Sequence, residues 1–253
     1  MSSTHGQDDH NDGRLSIHNL SVAYLHSPPI LHSVSLDIAA GERVGLIGPN
    51  GSGKTTLFLT ICGILKPSAG DVCWSGRSIK PGSFYPDIGM VFQHAADQLF
   101  CPSVRDDVAF GPLNMGLPGD EVQRRVDAAL AATGAMHLLQ RAPHHLSGGE
   151  KRMVAIAGVL AMHPRLMIYD EPAVGLDARA RRRLIQTMQT ATETLLISSH
   201  DLELIREVCQ RVVILDQGNI AADGPTDTIL GDAALMEAHG LERPASLRLE
   251  RIE

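Results

Sequence analysis

The chain has 253 residues, 43% hydrophobic and 4% aromatic, enough for one large α/β domain or two modest ones, with a mainly aliphatic core. Its 29 acidic against 22 basic residues give a net charge of −7, which argues against nucleic acid as a partner, because a polyanion is bound through a basic surface. No apolar run approaches the ~20 residues that span a bilayer as a helix, and Met1 to Arg14 lacks an apolar signal region; the expectation is a cytoplasmic chain that reaches a membrane only through partners.

Met1 to Gly13, with His5 and His10, reads as a disordered polar tail. Metal capture by the two histidines is the competing reading, and solvation is the simpler one. Alternating apolar residues predict strands at Leu15, Ile17, Val22 and Tyr24, and again at Val34, Leu36 and Ile38. A short apolar strand from Arg43 to Ile47 runs into a glycine-rich turn, and a helix follows from Thr55 to Ile64. Further strands are predicted from Asp71 to Trp74 and from Ile88 to Phe92. Between Asp97 and Pro118, prolines and scattered apolar residues interrupt any period.

Asp120 to Thr133 then has helical periodicity, with Val122, Val126, Ala129 and Leu130 on one face and Asp120 with Gln123 as the expected cap. Ser147 to Met162 reads as another helix, and Ser147 with Glu150 has the spacing of a capping box. Gln93 to about Met162 is thus a mostly helical insertion. Strands at Leu166–Tyr169, Thr194–Ser198 and Val212–Leu215 alternate with helices at Ala178–Thr190 and Asp201–Cys209, a pattern that favours a largely parallel sheet covered by helices. No internal repeat is visible, so one such domain is expected. Cys62, Cys73, Cys101 and Cys209 have neither zinc nor disulfide spacing and read as buried free thiols.

Two segments carry chemistry. Gly48-Pro49-Asn50-Gly51-Ser52-Gly53-Lys54-Thr55 fits G-x-x-x-x-G-K-[ST], between a strand and a helix. Its glycines let backbone N–H groups approach phosphate oxygens, and the helix N-terminus adds positive potential. Lys54 suits the β- and γ-phosphates, and the Thr55 hydroxyl suits Mg²⁺. A bare turn before a helix does not explain the Lys-Thr ending. The second segment, Leu166 to Glu171, is an apolar strand ending in two acids, at the strand end where ligands gather in open α/β sheets. Asp170 is expected to hold Mg²⁺. Glu171, taken to point away from Asp170 by strand alternation, is the candidate to activate water.

With Leu146-Ser147-Gly148-Gly149-Glu150 opening a helix upstream of those acids, the sequence resembles the ABC ATPase family, whose signature is L-S-G-G-Q/E. The match runs from about Leu15 to Gly224. The resemblance implies a P-loop NTPase of ABC type, with a RecA-like core, an antiparallel β subdomain and a helical signature subdomain. It divides the chain into a tail over 1–13, an ATPase domain over 14–231 with the helical subdomain at about 94–162, and a C-terminal tail over 232–253.

It further implies ATP and Mg²⁺ as cofactors and assigns roles by position. Tyr24 stacks on adenine. Gly48 through Thr56 bind the triphosphate. Gln93 contacts Mg²⁺ with Thr55 and Asp170, Asp177 lies in the loop Gly175-Leu176-Asp177, and His200 contacts the γ-phosphate beside Glu171. In this family two subunits sandwich two ATP molecules, so Ser147, Gly148 and Gly149 are expected to bind the γ-phosphate held by another copy, although capping alone also explains Ser147 and Glu150. The chain departs from the family in Ala173, where many relatives have Thr, and in Glu150, where Gln is commoner.

Val91 to Phe100 with Val108 to Pro112, the run from Glu150 to Met162, and Met236 to Leu241 resemble the energy-coupling-factor branch, the last most closely its cobalt and nickel importers. Vitamin-system ATPases often run longer at the C-terminus. The branch implies a peripheral subunit on the cytoplasmic side of the inner membrane. It would act as a homodimer with a membrane coupling (T) subunit and a substrate-binding (S) subunit. Import of biotin or another vitamin, a soluble non-transport ABC ATPase and a catalytically dead regulatory subunit are the competing readings. Repair-type coiled-coil or zinc insertions are absent from the sequence, and Lys54, Asp170, Glu171 and His200 are intact.

Overall fold

The computed structural model describes residues 13–25 and 27–249. The expected N-terminal tail therefore lies outside the described residues except for Gly13, whose N–H donates to Ser75 Oγ at 3.1 Å. In chain order the elements are β1 (Leu15–Ala23), β2 (Pro29–Ile38), β3 (Arg43–Ile47), α1 (Lys54–Ile61), β4 (Ala69–Trp74), β5 (Arg77–Ser78) and β6 (Ile88–Val91). The helices α2 (Val104–Asn114), α3 (Gly119–Thr133) and α4 (Gly148–Leu160) follow, then β7 (Leu166–Asp170), α5 (Ala178–Gln189), β8 (Thr194–Ser198), α6 (Leu202–Val208), β9 (Arg211–Asp216) and β10 (Asn219–Pro225). Three short helices end the described chain: α7 (Thr226–Gly231), α8 (Ala233–Ala238) and α9 (Ala245–Leu249).

Two sheets form. A four-stranded sheet has the order β2-β1-β4-β5, and its mapped pairings are antiparallel. A six-stranded sheet has the order β10-β9-β3-β8-β7-β6, parallel throughout except for the β9–β10 hairpin. Strand alternation sorts the second sheet's apolar residues onto two faces. Val44, Leu46, Leu166, Ile168, Leu196, Val213 and Leu215 pack with α1 against the antiparallel sheet, where Leu15, Ile17, Leu31 and Ile38 answer them. Ile47, Met167, Tyr169, Leu195, Ile197, Val212 and Ile214 pack on the other side against α4 to α8. Burial on both faces explains why these strands are apolar runs rather than alternating ones. A third cluster, built from α2, α3 and α4, fills the helical insertion.

The structure corrects several expectations. Helix α2 occupies the stretch whose prolines concealed it; Ser103 caps it by accepting from the Asp106 N–H at 3.2 Å, and Pro112 lies inside it. Asp120 does not cap α3. Pro118 is its N-cap residue, and Gln123 instead donates to Asp127 Oδ1 at 2.7 Å, one turn on. The region after residue 231 carries α8 and α9, with Met236 and Leu247 buried against the large core. Hairpin β9–β10 turns on Gln217 and Gly218, both left-handed, as a two-residue loop requires. Of the cysteines only Cys209 is fully buried, and all four are free thiols.

Candidate functional site

The C-terminal ends of β3, β8, β7 and β6, adjacent in the sheet, converge on one place. Register makes this literal: Ser198 of β8 pairs with Leu46 of β3 on one side and with Asp170 of β7 on the other. A cavity of about 240 Å³ opens there, lined by Ile30, the 50–56 loop and helix start, Gln93, Asp170, Glu171 and His200.

The loop after β3 wraps toward the sheet through left-handed glycines. At Gly48 (φ 151°) a Cβ would lie 1.9 Å from the Leu215 carbonyl oxygen, and at Gly53 (φ 108°) 2.6 Å from Leu31. No side chain fits either position. The β9–β10 turn supports the loop from outside, the Gly218 N–H donating to Ser52 O at 3.1 Å. Lys54 is buried, and its ammonium donates to Gly48 O at 2.9 Å and Pro49 O at 3.0 Å. Burial draws that ammonium below its ordinary value, opposed by the nearby charges of Glu171 and Asp170. Ser52 Oγ is buried with no partner at the same loop. The loop thus offers a cation and spare donors in a cradle of backbone N–H groups, the chemistry that takes a phosphate chain.

Thr55 Oγ1 donates to Asp170 Oδ2 at 2.7 Å, and Ser198 Oγ donates to Asp170 Oδ1 at 2.5 Å. A hydroxyl and a carboxylate oxygen in contact are the donor types a hard divalent cation shares with phosphates. Among the described residues no group of three or more His, Cys, Asp or Glu could form a protein-only metal cage.

Glu171 lies just past β7 in the left-handed region (φ 51°), so it turns back into the same cavity as Asp170 instead of pointing away as strand alternation implies. Its N–H donates to Ser198 O at 3.1 Å, and its Oε2 accepts from the His200 N–H at 3.1 Å. Its Oε1 is buried without a hydrogen bond, 3.5 Å from His200 Nε2. His200 Nε2 also meets Asn50 Oδ1 at 2.9 Å, bridging the cavity. A carboxylate with one oxygen fixed and the other open in a dry recess suits a general base.

The segment after β6 is held by Gln98, which the sequence offered only as part of the resemblance of Val91 to Phe100 to the energy-coupling-factor branch. Its Oε1 accepts from the Phe92 N–H at 3.0 Å and its Nε2 donates to Met90 O at 3.2 Å, completing the edge of β6 as a neighbouring strand would. Asp107 Oδ1 accepts from the Phe100 and Cys101 N–H groups, at 3.0 and 2.9 Å. Phe100 and Phe110, both exposed, pack edge to face with centroids 4.8 Å apart. Arg152, likewise read only within the run from Glu150 to Met162, joins this segment to Glu171; its own signal is a cation leading into the apolar residues of α4.

Not every expected residue gathers here. Tyr24 stands beyond β1, exposed, and does not line the cavity. Ser147, Gly148, Gly149 and Asp177 line a separate cavity of about 510 Å³ with Arg179 and Arg183, and the two cavities share no lining residue. The capping box is formed: the Ser147 N–H donates to Glu150 Oε2 at 2.8 Å, and Ser147 Oγ accepts from the Glu150 N–H at 3.3 Å. It leaves the Ser147 hydroxyl proton available. Asp177 caps α5 through the Ala180 N–H at 2.7 Å.

Behind His200, Asp201 caps α6 through the Leu204 N–H at 3.0 Å and receives Arg181 Nε at 2.6 Å. Burial works to raise the Asp201 carboxyl, but the Arg181 hydrogen bond, with the other attractions, holds it below its ordinary 3.8. Asp201→Ala is expected to cost about 1–2 kcal/mol from the lost cap and ion pair. A depressed carboxyl contributes in full above its unfolded value, and the contribution fades as pH falls through the folded one. The wild-type advantage in urea unfolding should therefore be constant at neutral pH and shrink below pH 3.8.

A family model described as ABC transporter matches residues 31–174. The chain belongs to the ABC transporter family. A Synechocystis protein named as an ABC transporter ATP-binding protein is 54% identical over 234 residues, 92% of this chain and 82% of the relative. The energy-coupling factor transporter ATP-binding protein EcfA of Methanothermobacter thermautotrophicus is 45% identical over 245 residues, 94% of this chain and 77% of its own. Among solved structures, CbiO1 from Clostridium perfringens, described as part of the ABC transporter complex cbiONQ, superposes with a TM-score of 0.76 at 34% identity, covering 97% of this chain and all of that one. The chain is thus an ABC ATPase of energy-coupling-factor type, an ATP hydrolase coupled to transport. Among its described residues no helix is long and apolar enough to cross a membrane.

Proposed function

We propose that this ABC ATPase drives an energy-coupling-factor importer of cobalt or nickel ions as a homodimer, bound to the cytoplasmic side of the inner membrane through a helical T subunit with an S subunit beside it. The observation that carries the dimer is the pair of cavities without a shared residue. One chain holds a phosphate loop without a signature facing it and a signature without a phosphate loop. A two-fold pairing of identical chains completes both sites at once.

In that arrangement Lys54 exchanges the Gly48 and Pro49 carbonyls for phosphate oxygens. Thr55 and Asp170, with Gln93 at the cavity wall, hold Mg²⁺, which supplies positive charge to the phosphates. Glu171 Oε1 takes the proton of the attacking water, and His200 fixes the carboxylate and the γ-phosphate side of the cavity. Ser147 and the start of α4 receive the γ-phosphate from the other copy.

The reading of a membrane partner rests on the exposed Phe100, Phe110 and Leu113, an apolar face on a segment held rigid by Gln98 and Asp107. The choice of cobalt or nickel rests on the resemblance of Met236 to Leu241 and on the likeness to CbiO1. The test is affinity purification of the tagged chain from detergent-solubilised membranes, with partner identification and metal analysis. Helical membrane proteins that confer cobalt or nickel uptake are expected. Recovery only in soluble complexes, or with a partner that takes up a vitamin, overturns the transport or the substrate part respectively.

A further inference from the structure

Arg152 lies in the second turn of α4, the helix that Ser147 opens, and is only 7% exposed. Its guanidinium reaches two loops of the site. Nη1 donates to Glu171 O at 2.7 Å and Nη2 donates to Gln93 O at 2.7 Å. We propose that Arg152 is a positioning residue for ATP hydrolysis, fixing the Glu171 and Gln93 loops relative to each other and to the signature helix.

Three physical facts support this. Glu171 holds a left-handed backbone that a side chain adopts only when its surroundings impose it. Ser198 restrains the N–H side of that residue, and Arg152 restrains the carbonyl side. Without the second restraint the peptide is free to relax toward right-handed geometry, which swings Oε1 off its line into the cavity. Second, the planar fork of a guanidinium sets the distance and plane between two acceptors, which an ammonium on a flexible stem does not. Third, a buried cation whose hydrogen bonds go to two carbonyls, with the Glu171 charge as its electrostatic partner, is a poor device for stability, since its desolvation is repaid only in part. Both arms of the fork are spent on the site's loops, so the geometry points to the chemistry.

A step follows from the placement. Ser147 and Arg152 are on one rigid helix, so a nucleotide that seats on the start of α4 bears on the Glu171 of the same chain. Each half-site is thereby informed of the other.

The inference rests on reading Glu171 as the base, and the experiment separates the two. Arg152→Lys keeps the charge and offers one ammonium in place of two fork arms. Arg152→Met removes both bonds. With Arg152→Lys, kcat is expected to fall at least about tenfold, in line with the cost of small misplacements at reacting groups, while KM and the Kd for a fluorescent ATP analogue stay within about twofold. Arg152→Met should fall further, and millimolar guanidinium should restore part of the activity of Arg152→Ala without altering its Tm. Wild-type kcat in Arg152→Lys overturns the proposal. So does a loss of kcat that merely follows lost nucleotide affinity and lowered Tm, or failure of the variants to fold, since both outcomes assign the residue to the scaffold. If Glu171→Gln turns over normally, the reading of Glu171 fails instead.

Discussion

Glu171→Gln is expected to bind ATP, lose hydrolysis by about a thousandfold or more, within the range a positioned general base supplies, and accumulate as an ATP-loaded dimer. The substitution is nearly isosteric. The amide oxygen can still accept the His200 N–H that Oε2 accepts at 3.1 Å, and the backbone bonds to Ser198 and Arg152 are untouched. What disappears is basicity at Oε1, the oxygen of this carboxylate that is buried and unbonded. The proposed phosphate loop, with Lys54 and Thr55, is unchanged. Binding and chemistry should therefore separate in the kinetics, a loss of kcat with little change in nucleotide affinity. Phosphate release, a filter-binding Kd, and size-exclusion chromatography with light scattering in ATP and Mg²⁺ measure the three quantities. Turnover within tenfold of wild type would move the base to another residue, and His200 is the next group in reach.

The parts of this site that the sequence disclosed are those in which one short stretch carries a whole physical device. A strand, a glycine turn and a helix start make the phosphate loop, and the capping spacing of Ser147 and Glu150 gave the start of α4 to the residue. Apolar runs ending in acids gave β7. What stayed hidden depends on contacts between distant stretches. Arg152 matters through carbonyls of residues 93 and 171, and no local pattern reports a bond to a carbonyl. Gln98 acts by imitating a strand at the edge of β6, which requires knowing that β6 is an edge. Pattern also misled. Pro112 masked α2 although Ser103 and Asp106 had cap spacing, and β10, made of small and polar residues apart from Ile220, forms because β9 offers an edge after a tight turn. For Glu171, alternation was the wrong rule, because the strand ends one residue earlier and the chain reverses into the left-handed region. Strand geometry ceases to govern direction at the strand end, which is where α/β sheets keep their ligands.

Two inactive variants, Lys54→Ala and Ser147→Arg, are expected to recover activity when mixed. Lys54→Ala removes the cation of the phosphate loop. Ser147→Arg places a long side chain over the first amides of α4 and removes a cap worth about 1 kcal/mol, a loss the buried face of α4 can absorb. In a two-fold dimer each ATP is held by the phosphate loop of one copy and the signature of the other, so each homodimer carries two spoiled sites. A mixed dimer gathers both lesions into one site and leaves the second intact. With random pairing, half the dimers are mixed and half their sites are whole, so about a quarter of wild-type turnover is expected if the sites work independently. The measurement is phosphate release from co-refolded or co-expressed variants, each alone as control, with mixed dimers counted by two different tags. A signature that served only as a helix cap, or one that met the phosphate loop of its own chain, would leave the mixture as dead as its parents. The separate cavities at Lys54 and Ser147 require the opposite result if both belong to one reaction.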